Sequence, residues 1–323
     1  MNNKELYLTK VVILTVLSVT IVSVLAGIGV NHRQKLGREA ELYRPPGGVY
    51  SINGHDMHLF SGGEGDKTLV FLAGAQNSSP TMDFKPLWNV LGQRYKFAVI
   101  ERRGYGWSDP ADVSRDVQTV MEESRSLLQA AGVKGPYVLV PQSMAGIEAL
   151  YWAQQYPAEV EAIIGLDAGV PEIYKQLDIG GQSRIMRAFF SLSRNGGIRI
   201  WDGQFRASKI MNSPYLSEED KATYMAMVYR SFGSPSMADE IIVAKSNALL
   251  VEAGDVPSTI PLHYFISDGR DLPFPDWRNT LSSYTDNFER GSYTFLDCGH
   301  EVNNSKTEEI IEKIDEFLLN IPQ

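Results

Sequence analysis

The sequence predicts an α/β fold: a mostly parallel central sheet with helices on both faces, a helical cap insertion and an N-terminal transmembrane helix. Three observations predict it. Twenty uncharged residues lie at 11–30, strand and helix patterns alternate after residue 46, and this alternation is interrupted at about 170–258. Hydrophobic residues make up 43% of the 323 residues and charged residues 21%, which is typical of a folded chain.

The uncharged segment at 11–30 has the length of a membrane-spanning helix. As a helix it would span about 30 Å, the thickness of the hydrocarbon layer, and no polar stripe interrupts it. We expect an uncleaved signal anchor in the cell membrane, with a tail at 1–10 before it and a juxtamembrane linker at 31–45 after it. The alternative is a signal peptide cleaved after Ala26, which would leave a secreted protein. Basic residues flank the segment on both sides and do not fix its orientation, and we expect the folded body outside the cytoplasm.

Charge is distributed unevenly along the chain. The net charge is −9, but six basic and three acidic residues lie in 1–45, whereas 24 basic and 36 acidic residues follow. An acidic body of this kind repels phosphate backbones, which argues against a nucleic acid as partner. The single cysteine, Cys298, excludes a disulfide within the chain and a cysteine-based metal cluster.

Short apolar runs predict the strands of a domain at 46–320. The dipeptide Asn53-Gly54 is typical of a hairpin turn between the first two strands. Later runs are continuously apolar, as in strands buried on both faces, and the helices between them indicate parallel neighbours. We expect strands at 49–52, 57–61, 68–73, 96–100, 137–140, 160–166, 261–266 and 292–296, and helices at 84–91, 112–132 and 145–156.

The segment at about 170–258 lacks strand-like runs and is rich in aromatic residues. A capping-box pattern of Ser217 and Asp220 marks a helix start within it. The segment is too long for an ordinary loop, so we expect a helical cap over the sheet. A last amphipathic helix is expected near the C-terminus, with Ser305 and Glu308 as its capping box.

The segment 137–146 contains a strand, a serine and the start of a helix in immediate succession. Ser143 stands at the turn between them, and the small residues Ala145 and Gly146 allow strand and helix to pass closely. A serine held above a sheet in this way, beside the positive end of a helix, can act as a nucleophile. Pro141 occupies the place of the first glycine in the usual G-x-S-x-G pattern.

A serine nucleophile requires a base, and the base requires an orienting carboxylate. Among the five histidines, His300 follows a strand end, where an open α/β sheet presents its site. We expect the acid after the preceding strand and prefer Asp271, with Asp268 as a close alternative. Asp167, after the strand that precedes the cap, is the third candidate.

The motifs at 71–76, 101–109, 141–146 and 298–300 together resemble those of the α/β-hydrolase superfamily, in its capped serine esterase and aminopeptidase-like branch. The second motif reads Glu-Arg-Arg-Gly-Tyr-Gly-Trp-Ser-Asp and is similar to the family's D-R-x-G-x-G-x-S-D turn. The order serine, aspartate, histidine along the chain is also that of this family. The resemblance covers essentially all of residues 45–320.

The resemblance implies a serine hydrolase that cleaves a small carboxylic ester through an acyl-enzyme intermediate. The methionine and aromatic residues of the cap segment favour an apolar substrate. No metal or cofactor is implied. The backbone N–H of Met144, together with that of Ala75 or Gln76, would form the oxyanion hole.

Two alternatives remain open. The same machinery could cleave an amide, as a proline iminopeptidase-like aminopeptidase, if Asp239, Glu240 or Glu252 held the amine of the substrate. The fold could also serve as a non-catalytic binding module, which Pro141 and Ala73 favour because both depart from the family's pattern.

Overall fold

The N-terminal part of the chain forms one long helix, α1 (Asn3–Leu42), in the computed structural model of the protein. The structure describes residues 3–111, 113–177 and 179–321. The apolar run of α1 is exposed, and within the described residues α1 is the one helix long and apolar enough to cross a membrane. From Ile28 onwards α1 contacts the folded body. The segment expected as a juxtamembrane linker is therefore helical as far as Leu42.

Eight strands form one sheet: β1 (Gly48–Ile52), β2 (His55–Gly62), β3 (Thr68–Leu72), β4 (Lys96–Glu101), β5 (Tyr137–Pro141), β6 (Val160–Leu166), β7 (Leu262–Ile266) and β8 (Gly291–Phe295). Their order is β1-β2-β4-β3-β5-β6-β7-β8. β2 pairs antiparallel with β1 and β4, and the other neighbours pair parallel. The mostly parallel sheet expected from the sequence is confirmed.

Helices cover both faces of the sheet. The helices after α1 are α2 (Pro80–Asp83), α3 (Lys85–Leu91), α4 (Val117–Ala130), α5 (Ala145–Gln155), α6 (Pro171–Tyr174), α7 (Ser183–Arg194), α8 (Gly203–Arg206), α9 (Glu218–Ser231), α10 (Pro235–Glu252), α11 (Trp277–Thr285), α12 (Val302–Ser305) and α13 (Thr307–Leu319). Three short 3₁₀ helices lie at Pro157–Glu159, Gly197–Arg199 and Lys209–Asn212.

Two apolar cores lie on opposite faces of the sheet because successive strand residues point to opposite sides. Along β3, Val70 and Leu72 join the core under α4, α5 and α11, whereas Leu69 and Phe71 join the core under α3 and α13. The strands buried on both faces are therefore apolar throughout, as expected for parallel strands between two helical layers.

The described part of the segment between β6 and β7 is helical and forms a cap with a third apolar core. Its helices α6 to α10 include the capping box of Ser217 and Asp220 that the sequence predicts. Aromatic side chains of the cap pack on one another, as between Phe205 and Phe232, whose ring centroids are 4.9 Å apart. Most of the aromatic residues noted in the sequence thus hold the cap together.

The helix expected at 84–91 is present as α3, which begins one residue later, and the short helix α2 precedes it. The helix expected at 112–132 begins only at Val117, after its N-cap Asp116. The last helix, α13, begins after Lys306 and has no side-chain cap, so the expected capping box of Ser305 and Glu308 is wrong. Ser305 instead ends α12, a separate helical turn that buries Val302.

Candidate active site

Ser143 lies at the turn between β5 and α5. Its φ of 52° is left-handed, which is strained for a residue with a side chain and typical of functional turns. Neighbouring backbone comes close: a Cβ at Gly74 would stand 2.7 Å from the Ser143 Cβ, and one at Gly146 would stand 2.2 Å from the Gly169 oxygen. Glycine at these two positions therefore allows Ser143 to occupy the turn.

Pro141 ends β5 without disturbing this turn. It pairs with Leu72 in the parallel ladder, and the following N–H, that of Gln142, donates to the Leu72 oxygen at 2.9 Å. A proline at a strand end removes no hydrogen bond from the middle of the ladder. The departure from the family's first glycine is therefore compatible with a well-formed turn.

The imidazole of His300 lies against the Ser143 hydroxyl, with Nε2 2.8 Å from Oγ. His300 follows β8 in a loop, and Trp277 packs against it edge-on with the ring centroids 5.6 Å apart. The carboxyl ends of β5 and β8 thus bring together two side chains that are 157 residues apart in the sequence. This pairing is the one that the sequence pattern led us to expect.

The carboxylate that faces the imidazole belongs to Asp167, the third of the sequence candidates. Its Oδ2 lies 2.6 Å from His300 Nδ1, and its Oδ1 accepts from the Ser267 N–H at 2.8 Å and from Trp277 Nε1 at 2.9 Å. Asp167 is fully buried and directly follows β6, with a left-handed φ of 48°. Because two donors hold one oxygen, the other oxygen is directed at His300.

The expectation that Asp271 contacts the imidazole is wrong. Both of its carboxylate oxygens accept from the backbone N–H of His300, at 3.2 and 3.1 Å, so Asp271 holds the loop and leaves the ring to Asp167. Gly299 permits this approach, since a Cβ there would stand 2.5 Å from an Asp271 oxygen. The acid follows β6, one strand earlier than the position that we preferred from the sequence.

Asp268, the close alternative, does not reach the imidazole either. Its carboxylate pairs with Arg270 at 2.6 Å. Hydrogen bonds from the side chain and backbone of Arg270 lower the pKa of Asp268. The turn at Gly269 therefore directs Asp268 towards a neighbouring cation and away from His300.

The backbone donors expected for an oxyanion hole lie at two half-buried turns. In the described part of the chain, no hydrogen bond occupies the N–H of Met144 or that of Ala75. The N–H of Gln76, whose φ is 64°, instead donates to the Tyr105 hydroxyl at 3.3 Å. The geometry therefore favours Ala75 over Gln76 as the partner of Met144.

A buried ionic network that sequence reasoning missed lies behind these turns. The Arg102 guanidinium donates to the Ala73 oxygen at 2.8 Å and pairs with Glu148 at 3.1 Å and with Glu240 at 3.2 Å. The Tyr105 hydroxyl donates to Glu240 at 2.5 Å. Arg102 and Tyr105 belong to the 101–109 motif, whereas Glu240 belongs to α10, so the network connects the loop after β3 to the cap.

Tyr174 is a second feature that sequence reasoning missed. It lies buried in α6 at the start of the cap and packs edge-on against Phe274. Burial raises the pKa of Tyr174, and an interaction of its hydroxyl with Ser143 opposes that rise. The signal in the sequence was Pro171, which begins a helix only four residues after Asp167.

The three cap acids considered for binding an amine are all engaged in ion pairs. Glu240 is buried against Arg102 and Tyr105. Asp239 pairs with Arg187 at 2.5 Å, and Glu252 pairs with Lys175. Each of these three carboxylates therefore already has a cationic partner within the fold.

The chain matches the family model described as alpha/beta hydrolase fold over residues 67–241. It therefore belongs to the α/β-hydrolase family, as its motifs led us to expect. Membership of this family supports a hydrolytic enzyme that acts on a small molecule.

Three similar proteins illustrate the range of relatives. A Bacillus subtilis protein, uncharacterized protein YbdG, is 32% identical over 245 residues, which are 76% of this chain and 75% of the relative. Epoxide hydrolase VrEH1 from Vigna radiata has a TM-score of 0.65 at 16% identity, covering 84% of this chain and 97% of that one. The enol-lactonase from Burkholderia xenovorans LB400 has a TM-score of 0.60 at 16% identity, covering 84% and 100%. At such identity the two solved structures show a shared fold.

Proposed function

We propose that the protein is a serine hydrolase that cleaves a small carboxylic ester through an acyl-enzyme intermediate. One observation carries the proposal: an unbroken chain of contacts from the Ser143 hydroxyl to His300 at 2.8 Å and from His300 to Asp167 at 2.6 Å. A nucleophile, a base and an orienting carboxylate in this geometry form the Ser-His-Asp arrangement of acyl-transfer enzymes.

The proposed reaction begins when Ser143 Oγ attacks the ester carbonyl while His300 Nε2 accepts its proton. The charge on the carbonyl oxygen is received by the N–H groups of Met144 and Ala75. His300 then protonates the departing alcohol, and Asp167 stabilises the imidazolium throughout. Water, activated by His300, attacks the acyl group on Ser143 and releases the acid. The steps use side chains, backbone N–H groups and water.

Aromatic side chains beside the nucleophile support an apolar acyl group. Tyr174 packs on Phe274, and Phe274 stacks on Trp277 with ring centroids 5.8 Å apart. Trp277 in turn packs on His300. An aromatic cluster beside Ser143 and His300 favours a substrate with an apolar acyl group.

Labelling with a fluorophosphonate probe tests the nucleophile. The wild-type chain should incorporate the probe, and Ser143→Ala should not, because the probe phosphonylates an activated serine hydroxyl. Equal labelling of both, or labelling of neither, would remove the proposal and favour a non-catalytic module.

Comparison of p-nitrophenyl esters with aminoacyl anilides then separates ester from amide hydrolysis. A clear preference for the anilide would contradict the ester assignment.

We further propose that α1 is a retained membrane anchor with the folded body outside the cytoplasm. The continuity of α1 supports retention, because the helix runs unbroken from Asn3 to Leu42 through the possible cleavage site at Ala26. Its second half is docked on the cap, where His32 is buried and accepts a hydrogen bond from Arg199 Nε at 2.9 Å. Mass spectrometry of the mature N-terminus tests this proposal: the chain should retain residues 11–30, whereas a start at Gly27 would show a cleaved signal peptide.

A further inference from the structure

An apolar groove lies between α1 and the cap. Val22, Leu25 and Ala26 line one side of it, and Leu192, Ile200 and Trp201 line the other. Ile200 is 67% exposed, and Ile185 and Phe189 extend the exposed apolar face along α7 at helical spacing. Single exposed apolar residues are common on protein surfaces, but several exposed apolar residues side by side mark an interaction site.

A second cavity, of about 370 Å³, opens directly beside the groove and has a basic lining. Gly29, Arg33 and Asn195 line both spaces, so the two lie side by side. Arg194 and Arg230 also line the cavity, and within the described residues no acidic side chain pairs with Arg33, Arg194 or Arg230. Burial, and then the nearby charge of Arg230, lower the pKa of Arg194. These three cations can therefore receive an anion.

The place where the groove meets the basic cavity, which we call the junction of α1 and the cap, indicates what kind of molecule carries the anion. The uncharged run of α1 ends at residue 30, and Val22 lies eight residues earlier, which is about 12 Å deeper in a membrane-spanning helix. The groove therefore lies at the depth of lipid acyl chains and the arginines lie at the depth of the head groups. An apolar slot that leads into a basic cavity across this boundary matches one lipid molecule.

We propose that the junction of α1 and the cap binds a phospholipid of the surrounding bilayer. The acyl chains lie in the groove beside Val22 and Leu192, and the phosphate lies among Arg33, Arg194 and Arg230. Arginine suits this ligand because its planar donors match phosphate oxygens. The inference rests on the retention of α1 and is independent of the chemistry at Ser143.

Native mass spectrometry of the full chain in detergent tests the site. We expect one phosphatidylglycerol molecule to remain bound to the wild-type protein. The double variant Arg194→Gln and Arg230→Gln should bind at least about tenfold more weakly, because each basic side chain contributes to binding an anionic lipid. The matched control is Arg290→Gln, which removes an exposed arginine far from α1 in sequence and should bind like the wild type.

Three outcomes would overturn the proposal. If Arg290→Gln weakened lipid binding as much as the double variant does, the attraction would be non-specific. If inorganic phosphate raised the thermal midpoint as much as the lipid does, the site would be one for the free anion. Wild-type affinity in the double variant would show that the arginines do not bind the lipid. The thermal midpoint of each variant without lipid separates weak binding from loss of folding. Fluorophosphonate labelling of the same samples reports on the hydrolase function separately.

Discussion

Backbone strain is concentrated at the site. Within the described residues, five non-glycine residues have positive φ, and three of them are Ser143, Asp167 and Gln76. Each stands at the carboxyl end of a parallel strand, where the chain must turn sharply to present a side chain or an N–H group. Strain of this kind persists only when surrounding packing fixes it, and it is typical of functional sites.

The close approach at Gly74 gives a prediction at the residue scale. In Gly74→Ala the new Cβ would meet the Ser143 Cβ at 2.7 Å, so the serine or the loop after β3 must shift. That loop carries Ala75 and Gln76. Because a displacement near 1 Å lowers rates by about 100-fold, we expect Gly74→Ala to be labelled by the fluorophosphonate about 100-fold more slowly than the wild type. Gly203→Ala is the control, since its Cβ would meet nothing within 4 Å. Labelling of Gly74→Ala at the wild-type rate would contradict the proposed geometry.

At the scale of elements, the loop after β3 is held by the 101–109 motif and by α10 of the cap. Arg102 binds its carbonyl oxygens, and Tyr105 binds the N–H of Gln76. A buried ionic group is costly unless its partners are all present, so this network fixes one arrangement of loop and cap. Contacts of Arg102 and Tyr105 with Glu240 therefore link the cap to the loop of the proposed oxyanion hole.

Tyr105→Phe should lower kcat while leaving KM nearly unchanged. Removing the hydroxyl removes its hydrogen bonds with the Gln76 N–H and the Glu240 carboxylate, so the loop after β3 is held less firmly. We expect a decrease of about tenfold, less than the 100-fold or more for loss of a whole donor. Tyr264→Phe is the matched control, because the buried Tyr264 hydroxyl has no hydrogen-bond partner in the described structure. An equal kcat decrease in both variants would indicate a general packing effect.

His263 on β7 gives a prediction about pH. Burial, and then the charge of Lys313, lower its pKa to about 4 from 6.5. Between pH 4 and pH 6.5 the imidazole is therefore protonated in the unfolded chain and neutral in the folded chain. The resulting stabilisation is complete above pH 6.5 and is lost as the pH falls towards 4. Between pH 7.5 and pH 5 the loss is about 2 kcal/mol.

The variant His263→Gln removes this titration while keeping groups that can hydrogen bond to Ser292 and Thr294, the present partners of the ring. The decrease in Tm between pH 7.5 and pH 5 should be smaller in the variant than in the wild type, by about 4 °C. Identical pH dependence of Tm in both proteins would show that His263 does not titrate in this way.

At the scale of the whole molecule, α1 and the cap form one docked unit. The Arg199 guanidinium pairs with Glu39 at 2.6 Å and lies over the Tyr229 ring at 3.9 Å. Arg199→Met should loosen this contact and make the segment between Leu42 and Gly48 more sensitive to added protease. Arg290→Met serves as the control. Unchanged cleavage of Arg199→Met would show that the docking does not depend on this residue.

The sequence predicted the sheet and the positions of Ser143 and His300 because apolar runs and strand ends are local signals. It did not identify the acid. Asp167, Asp268 and Asp271 all follow parallel strands, and only the hydrogen bonds from Ser267 and Trp277 direct Asp167 at the imidazole. The network of Arg102 with Glu240 was also hidden, because it joins residues far apart in sequence across the cap interface.

The most direct test of the account is the second-order rate of fluorophosphonate labelling in Asp167→Asn and Asp271→Asn. We expect a decrease of about 10³–10⁴-fold for Asp167→Asn, because the imidazole loses its orienting carboxylate. We expect a decrease of about tenfold or less for Asp271→Asn, because the amide oxygen can still accept from the His300 N–H and only one acceptor is lost. The opposite order, with Asp271→Asn nearly inactive and Asp167→Asn labelled like the wild type, would contradict the assignment of Ser143, His300 and Asp167.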